Sequence, residues 1–353
     1  METRRRAFYA SMEPVNILVR ATNWIGDAVI SLPALRAIRV RFPAARISVL
    51  ARPWVLDLYA REHFADQIVP YACGNLREKF RLTRSLRSRR FDCAILFQNA
   101  FEAAALAFAA GIPERIGYAR DGRSLLLTRA IPVPGPREVP RHERYYYLEL
   151  LRRAGLADSA PPADEPIRLD GAGQARQEGS LLLAEAGLAG PVIGVSPGAA
   201  YGGAKRWLPE RFAEAAVTVA DAGSRAVAIF GSLAERDLCG QVRAQVAGRG
   251  IRSHNFAGVT TLARFISMAA ACDVFLTNDS GAMHIASALG VPTVAVFGAT
   301  DDSATGPTGP LARVVRSPVD CSPCLLRECP IDHRCMTGVT AAEVAQTALK
   351  LLK

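Results

Sequence analysis

The sequence has no apolar run of membrane-spanning length. Its longest, around Ala103–Ile112, is half of the ~20 residues a spanning helix needs. The N-terminal METRRRAFYASMEP is basic but has no apolar centre of the kind a secretory signal carries. It reads as a frayed lead-in, which places the chain in the cytoplasm. Short-period repeats are missing as well. The turn RATNWIGDAV (20–29) has only Gly26 where a dinucleotide-binding fold puts three glycines, so NAD is not expected there. No Walker A loop is present either. In GAAYGGAKR (198–206) the lysine comes one residue too late, and arginine rather than serine or threonine follows it. The basic stretch LREKFRLTRSLRSRR (76–90) lacks interleaved aromatics, and no helix-turn-helix or finger pattern appears, which argues against nucleic acid as a partner.

What is present suits two α/β domains. The chain has 353 residues, 50% of them hydrophobic, enough for two cores. Short apolar runs alternate with helical patterns. VNILV (15–19), RISVLA (46–51), QIVPY (67–71), DCAILF (92–97) and ERIGY (114–118) read as strands in the first half. Helices are expected over about 27–41, 53–62, 75–89, 100–110 and 141–155. Proline and glycine then concentrate in GLADSAPPADEPIRLDGAG (155–173), the expected linker. Beyond a helix near 174–187, strands at 191–198, 225–232, near 251–256, 273–279 and 292–298 alternate with helices at 209–223, 233–247, 261–271 and 281–290, and a last helix spans about 340–352. Continuous apolar strands between helices indicate parallel sheets covered on both faces. The domains are set at 1–165 and 166–353. Residues 1–150 hold 24 Lys/Arg against 14 Asp/Glu, whereas residues 151–353 hold 19 of each. The whole net charge of +10 thus sits in the first half and suggests an anionic partner for it, against the plainer reading of a solvated arginine-rich face.

Four stretches are candidates for chemistry. Asp27 stands where the first strand hands over to a helix; it suits a helix cap and equally a functional carboxylate. The glycine-rich SPGAAYGGAKRWLPERF (196–212) ends a strand and offers backbone N–H groups and Lys205 to an anion, or is an ordinary turn. In VFLTNDSGAMHIASALG (274–290) an apolar strand runs into Asp279, Ser280 and Gly281 at the start of a helix carrying His284. Asp279 or Ser280 could cap that helix. Its open N–H groups and dipole would also attract phosphate, with Asp279 left to hold sugar hydroxyls. The fourth is CSPCLLRECPIDHRC, with Cys321, Cys324, Cys329 and Cys335 beside His333. Such clustering suggests a structural Zn2+, or an iron–sulfur cluster, or free thiols, and the irregular spacing leaves these open.

Together ILVRATNWIGDAVISLPALRAIRVRFP, PGAAYGGAKRWLPERFAE, FGSLAERD, TNDSGAMHIASALGVPTVAVFG and CSPC…RECP…HRCM resemble the bacterial ADP-heptose:lipopolysaccharide heptosyltransferases, glycosyltransferase family 9. The resemblance implies a GT-B architecture, α/β, with two Rossmann-like domains whose parallel sheets face an interdomain cleft. It implies inverting heptose transfer from ADP-heptose, held by the C-terminal domain, to an anionic Kdo/heptose–lipid A acceptor received by the N-terminal domain at the inner face of the cytoplasmic membrane. Asp27 aligns with the family's general base. Lys205, Ser280, Gly281 and His284 would face the diphosphate and Asp279 the donor, and Gly231–Ser232 would line the nucleotide pocket. No D-x-D triplet occurs, so no metal-dependent diphosphate site and no catalytic cofactor are expected. The loop before Lys205 lacks the hydroxyl-bearing residue that family members often carry, so contacts from it would come from backbone N–H groups or Tyr201. Another heptosyltransferase activity within the family, a GT-B-like nucleotide-sugar epimerase and a non-enzymatic glycolipid binder are the competing readings.

Overall fold

The computed structural model describes residues 14–157 and 165–353. The lead-in and part of the expected linker lie outside them. The chain divides into two compact units, Met1–Pro161 and Pro162–Lys353.

In the first unit six strands, β1 (Asn16–Arg20), β2 (Arg46–Ala51), β3 (Gln67–Pro70), β4 (Cys93–Leu96), β5 (Glu114–Tyr118) and β6 (Arg129–Ile131), form one parallel sheet ordered 3-2-1-4-5-6. Pro70 donates no hydrogen bond and sits on the edge strand, the place where a sheet tolerates it. Among the described residues six helices accompany the strands: α1 (Ile25–Ile30), α2 (Leu32–Arg41), α3 (Leu56–Tyr59), α4 (Leu76–Ser88), α5 (Phe101–Ala109) and α6 (Arg144–Arg153). The single helix expected over 27–41 is two, broken at Ser31. Pro33 has no N–H to give the Val29 carbonyl, and Ser31 Oγ donates to the Ala28 carbonyl at 3.0 Å. The helix expected over 53–62 is a 3₁₀ turn, 53–55, followed by the one-turn α3. β6 was not foreseen, because three residues are too few to show a period. Leu18, Leu50, Leu96, Ala104 and Ala107 are among the residues of the buried core under this sheet.

The second unit repeats the plan. β7 (Val192–Ser196), β8 (Ala226–Ile229), β9 (Ser253–Asn255), β10 (Val274–Asn278), β11 (Thr293–Phe297) and β12 (Ala312–Arg316) are all parallel, in the order 12-11-10-7-8-9. Counted from β7, that is 6-5-4-1-2-3, the Rossmann order read from the other edge. Its helices are α7 (Ala172–Glu185), α8 (Pro209–Asp221), α9 (Arg236–Ala247), α10 (Leu262–Ala270), α11 (Gly281–Ala288), α12 (Asp302–Thr305), α13 (Arg334–Thr337) and α14 (Ala341–Leu351). β7, β10 and β11 are buried along their whole length, as strands covered on both faces must be. One face is packed by α8, α9 and α14 with Trp207, Phe212 and Met336, the other by Leu183, Met268 and Phe275. On that second face α7 lies hard against α10: a Cβ on Gly179 would come within 1.8 Å of the Ser267 carbonyl oxygen. β12, α12 and α13 escaped the sequence reading. The exposed Arg313 and Arg316 in ARVVR mark a half-exposed edge strand, which resembles loop.

Candidate active site

In a sheet of this order, ligands bind beyond the carboxyl ends of the strands where the order reverses. In the first unit that point lies between β1 and β4, and in the second between β7 and β10.

Asp27 follows β1. The N-cap of α1 is Trp24, no side chain caps this helix, and Asp27 stands in its first turn. The cap reading is therefore corrected: the helix starts two residues earlier than the glycine suggested. A first-turn carboxylate still gains from the helix dipole. Asp27 is half-buried. Three groups of this unit feel its charge. Burial, then the Asp27 carboxylate, pushes the Glu143 carboxyl above its usual range, with Arg120 opposing. Burial first, then Asp27, raises the Tyr147 phenol well above its own. Tyr59 is pushed up to about 12, mainly by burial. Glu143 is a carboxylate that the sequence reading missed, because nothing in PRHERYYY marks it.

In the second unit the structure joins two of the candidate stretches. Lys205 Nζ lies 2.5 Å from Asp279 Oδ2, with side-chain exposures of 13% and 4%. The same carboxylate oxygen accepts from Thr300 Oγ1 at 2.6 Å. Asn278, fully buried, locks the two loops together. Its Oδ1 accepts from Trp207 N at 2.9 Å, and its Nδ2 donates to the Pro197 carbonyl at 2.7 Å. The ion pair thus spans the β7–β10 reversal. Ser280 is the N-cap residue of α11, yet no side chain caps the helix; Ser280 Oγ instead lies 3.2 Å from Thr277 Oγ1. His284 is one turn further on and 7% exposed. Gly231 and Ser232 follow β8, beside β7, and are committed locally. Ser232 N and Oγ each meet Glu235 Oε2 at 2.8 Å, and the Gly231 carbonyl accepts from Gly258 N. Glu235 also abuts Gly198. The S-x-x-E spacing of SLAE was a legible sign of that cap.

The glycine-rich loop is occupied by the chain itself. Gly203 N donates to Glu328 Oε1 at 2.9 Å, Ala204 N to the Arg327 carbonyl at 2.9 Å, and Tyr201 OH to the Leu325 carbonyl at 2.9 Å. His333 Nε2 lies 3.0 Å from the Ala204 carbonyl oxygen. Lys205 Nζ and the Arg327 guanidinium stand 4.8 and 5.2 Å from the centre of the Tyr201 ring. The expectation that this loop offers free N–H groups, or Tyr201, to an anion is corrected at these positions. The glycine at 202 has a packing reason: a Cβ there would be 2.2 Å from the Arg327 carbonyl oxygen. The cysteine-rich segment is therefore a buttress under the Lys205 loop. Among the described residues no three His, Cys, Asp or Glu side chains are gathered as a metal ion requires. Among the described residues no helix is long and apolar enough to cross a membrane.

The family model described as glycosyltransferase family 9 (heptosyltransferase) matches residues 79–334. Lipopolysaccharide heptosyltransferase 2 of Salmonella typhimurium is 32% identical over 86% of this chain and 88% of its own. Lipooligosaccharide heptosyltransferase 2 of Haemophilus influenzae is 31% identical over 86% and 88%. The solved structure of E. coli ADP-heptose LPS heptosyltransferase II has a TM-score of 0.80 and 30% identity, covering 96% of this chain and 98% of that one. Two parallel Rossmann-like sheets, a charged pair at the second reversal point and these likenesses agree: the chain belongs to glycosyltransferase family 9, the heptosyltransferases.

Proposed function

We propose that the chain transfers a heptose from ADP-heptose to the inner core of lipopolysaccharide, with Asp27 as general base. The acceptor hydroxyl gives its proton to the Asp27 carboxylate as its oxygen attacks the anomeric carbon. The bond to ADP breaks on the opposite face, and the anomeric configuration inverts. Charge develops on the departing diphosphate and needs cationic groups already in place. Lys205 supplies one, and the uncapped start of α11 at Ser280 and Gly281 supplies N–H donors and the positive end of a dipole. His284 and Asp279 complete the donor side. Asp279 keeps Lys205 ordered until the diphosphate competes for it.

The single observation that carries this reading is the buried Lys205–Asp279 pair beside an open helix start at the β7–β10 reversal. The relatives' names, heptosyltransferase 2 in both species above, support the second-heptose reaction over its siblings. The positive excess of the first 150 residues supports their half as the one that meets an acceptor bearing Kdo carboxylates and phosphates. The reading places the enzyme in the cytoplasm, peripheral at the inner membrane face.

Incubation of the protein with ADP-heptose and defined Kdo–lipid A acceptors carrying zero or one heptose, read by mass spectrometry, tests it. Addition of one heptosyl mass to the one-heptose acceptor is expected. Turnover of the donor without acceptor would overturn it.

A further inference from the structure

The carboxyl edge of the first sheet holds a guanidinium that the fold leaves unused. Arg52 follows β2 directly. Its Cζ stands 4.5 Å from the centre of the Tyr71 ring and 5.5 Å from that of Trp54. Its Nε is shielded from water and meets no acceptor. Among the described residues the Arg52 side chain makes no hydrogen bond and no ion pair. A buried donor without a partner is rare in a folded protein and calls for an explanation.

The surroundings suggest one. Arg20, 4% exposed at the end of β1, places its own Cζ 4.5 Å from the same Tyr71 ring, so two cations crowd one aromatic. Arg20 is committed: Nη1 donates to the Ala21 carbonyl at 2.6 Å and Nη2 to Asn23 Oδ1 at 2.8 Å. The nearby carboxylate, Glu102, is committed as well. It accepts from Tyr71 OH and pairs with Lys79 at 2.8 Å. Arg20, Asn23, Arg52, Tyr71, Gln98 and Glu102 line a small open pocket. With Lys79, that is three cations against one carboxylate. Trp54 Nε1 donates to the Asn23 carbonyl at 2.8 Å and ties the β2 loop to the turn that precedes α1, the helix whose first turn carries Asp27.

We propose that Arg52 binds an oxyanion of the sugar acceptor, a carboxylate of an acidic sugar or a phosphate, and so sets the acceptor's position on the edge that carries Asp27. The proposal rests on the transferase reading given above. An arginine fork suits such a group, since two N–H donors match two oxygens of a carboxylate or phosphate. The Tyr71 and Trp54 rings hold the guanidinium flat without consuming its donors. Arg20 adds charge from behind while its hydrogen bonds stay with the Ala21 carbonyl and the Asn23 side chain.

Steady-state kinetics of wild type, Arg52→Ala and Arg52→Lys at saturating ADP-heptose, with the acceptor varied, provides the test. Arg52→Ala is expected to raise the acceptor KM by about ten- to a hundredfold, the usual effect of losing a charge-assisted hydrogen bond. The donor KM and the thermal midpoint stay at wild-type values. Lysine restores only part, being a point charge rather than a fork. The same kinetics with a dephosphorylated acceptor and with one whose sugar carboxylates are amidated identify the source: the stripped group is the one whose loss erases the difference between wild type and Arg52→Ala. Acceptor binding without donor, by calorimetry, separates the two levels. If binding depends on Arg52 but no heptose is transferred, the site stands and the transferase reading falls. If heptose is transferred and Arg52→Ala has an acceptor KM within twofold of wild type, or if neither stripped acceptor erases the difference, the site falls. If the wild type neither binds nor transfers, both fall.

Discussion

Breaking the Lys205–Asp279 pair from one side is expected to destabilise the second unit more than breaking it from both. The Asp279 side chain is 4% exposed and Lys205 is 13% exposed. Lys205→Ala leaves a buried carboxylate with only the Thr300 hydroxyl, at 2.6 Å, to replace a cation at 2.5 Å. An uncompensated buried charge of this kind costs about 3–5 kcal/mol. In a unit of this size 1 kcal/mol moves the thermal midpoint by roughly 2–4 °C, so a fall of about 6–20 °C follows. Asp279→Asn is expected to be milder, because the lysine stem is long enough to carry its ammonium out to water. The double variant Lys205→Ala/Asp279→Asn removes both charges and is expected to recover most of the loss, with a coupling of about 1–3 kcal/mol in the double-mutant cycle. Circular dichroism melts of the four proteins measure all of this. ADP gives a second readout: at a hundred times its Kd it stabilises the wild type by about 2.7 kcal/mol and is expected to leave Lys205→Ala unmoved. A shift below 2 °C for Lys205→Ala, or strictly additive single and double variants, would refute the buried-pair reasoning.

Two other expectations concern packing and pH. Gly202→Ala drives a Cβ into the Arg327 carbonyl and is expected to part the Lys205 loop from the cysteine-rich buttress, raising the ADP-heptose KM with little change in the first unit's hydrogen-exchange protection; an unchanged donor KM would show that the buttress does not position the loop. Glu149, buried in α6, accepts from Arg152 at 2.7 Å and from Arg153 at 2.6 Å, and these bonds hold its carboxyl below the usual range. Such a group stabilises the fold fully above its unfolded pKa of about 4.3 and loses that contribution as pH falls through the lower folded value. Glu149→Gln is therefore expected to melt about 2–4 °C below wild type at pH 7, with the gap closing between pH 5 and pH 3; a gap constant with pH would contradict the assignment.

Much of this architecture is legible in the chain because the strands are short, apolar and bounded by glycine or proline. VIGVS, VFLTN and TVAVF are buried end to end and could hardly be anything but inner strands. The likeness to family 9 was legible for a related reason: GGAKRW and TNDSG are the two loops that the β7–β10 reversal brings together. What stayed hidden depends on partners distant in sequence. That Lys205 answers Asp279 across 74 residues leaves no trace in local pattern. Nor does the capture of Gly203 N by Glu328, 125 residues away. The cysteines drew attention to a metal, while the neighbouring Leu325, Arg327 and Glu328 do the visible structural work. Ser31 and Pro33 split a helix whose apolar period runs through the break, so periodicity alone extended it.

The central claim is that the Asp27 carboxylate takes the proton of the attacking hydroxyl. The turnover number of Asp27→Asn, with both substrates saturating, tests it most directly. Loss of a general base predicts a fall of about 10²–10⁴-fold in kcat with the ADP-heptose KM unchanged. A variant that keeps more than a tenth of the wild-type kcat would contradict it.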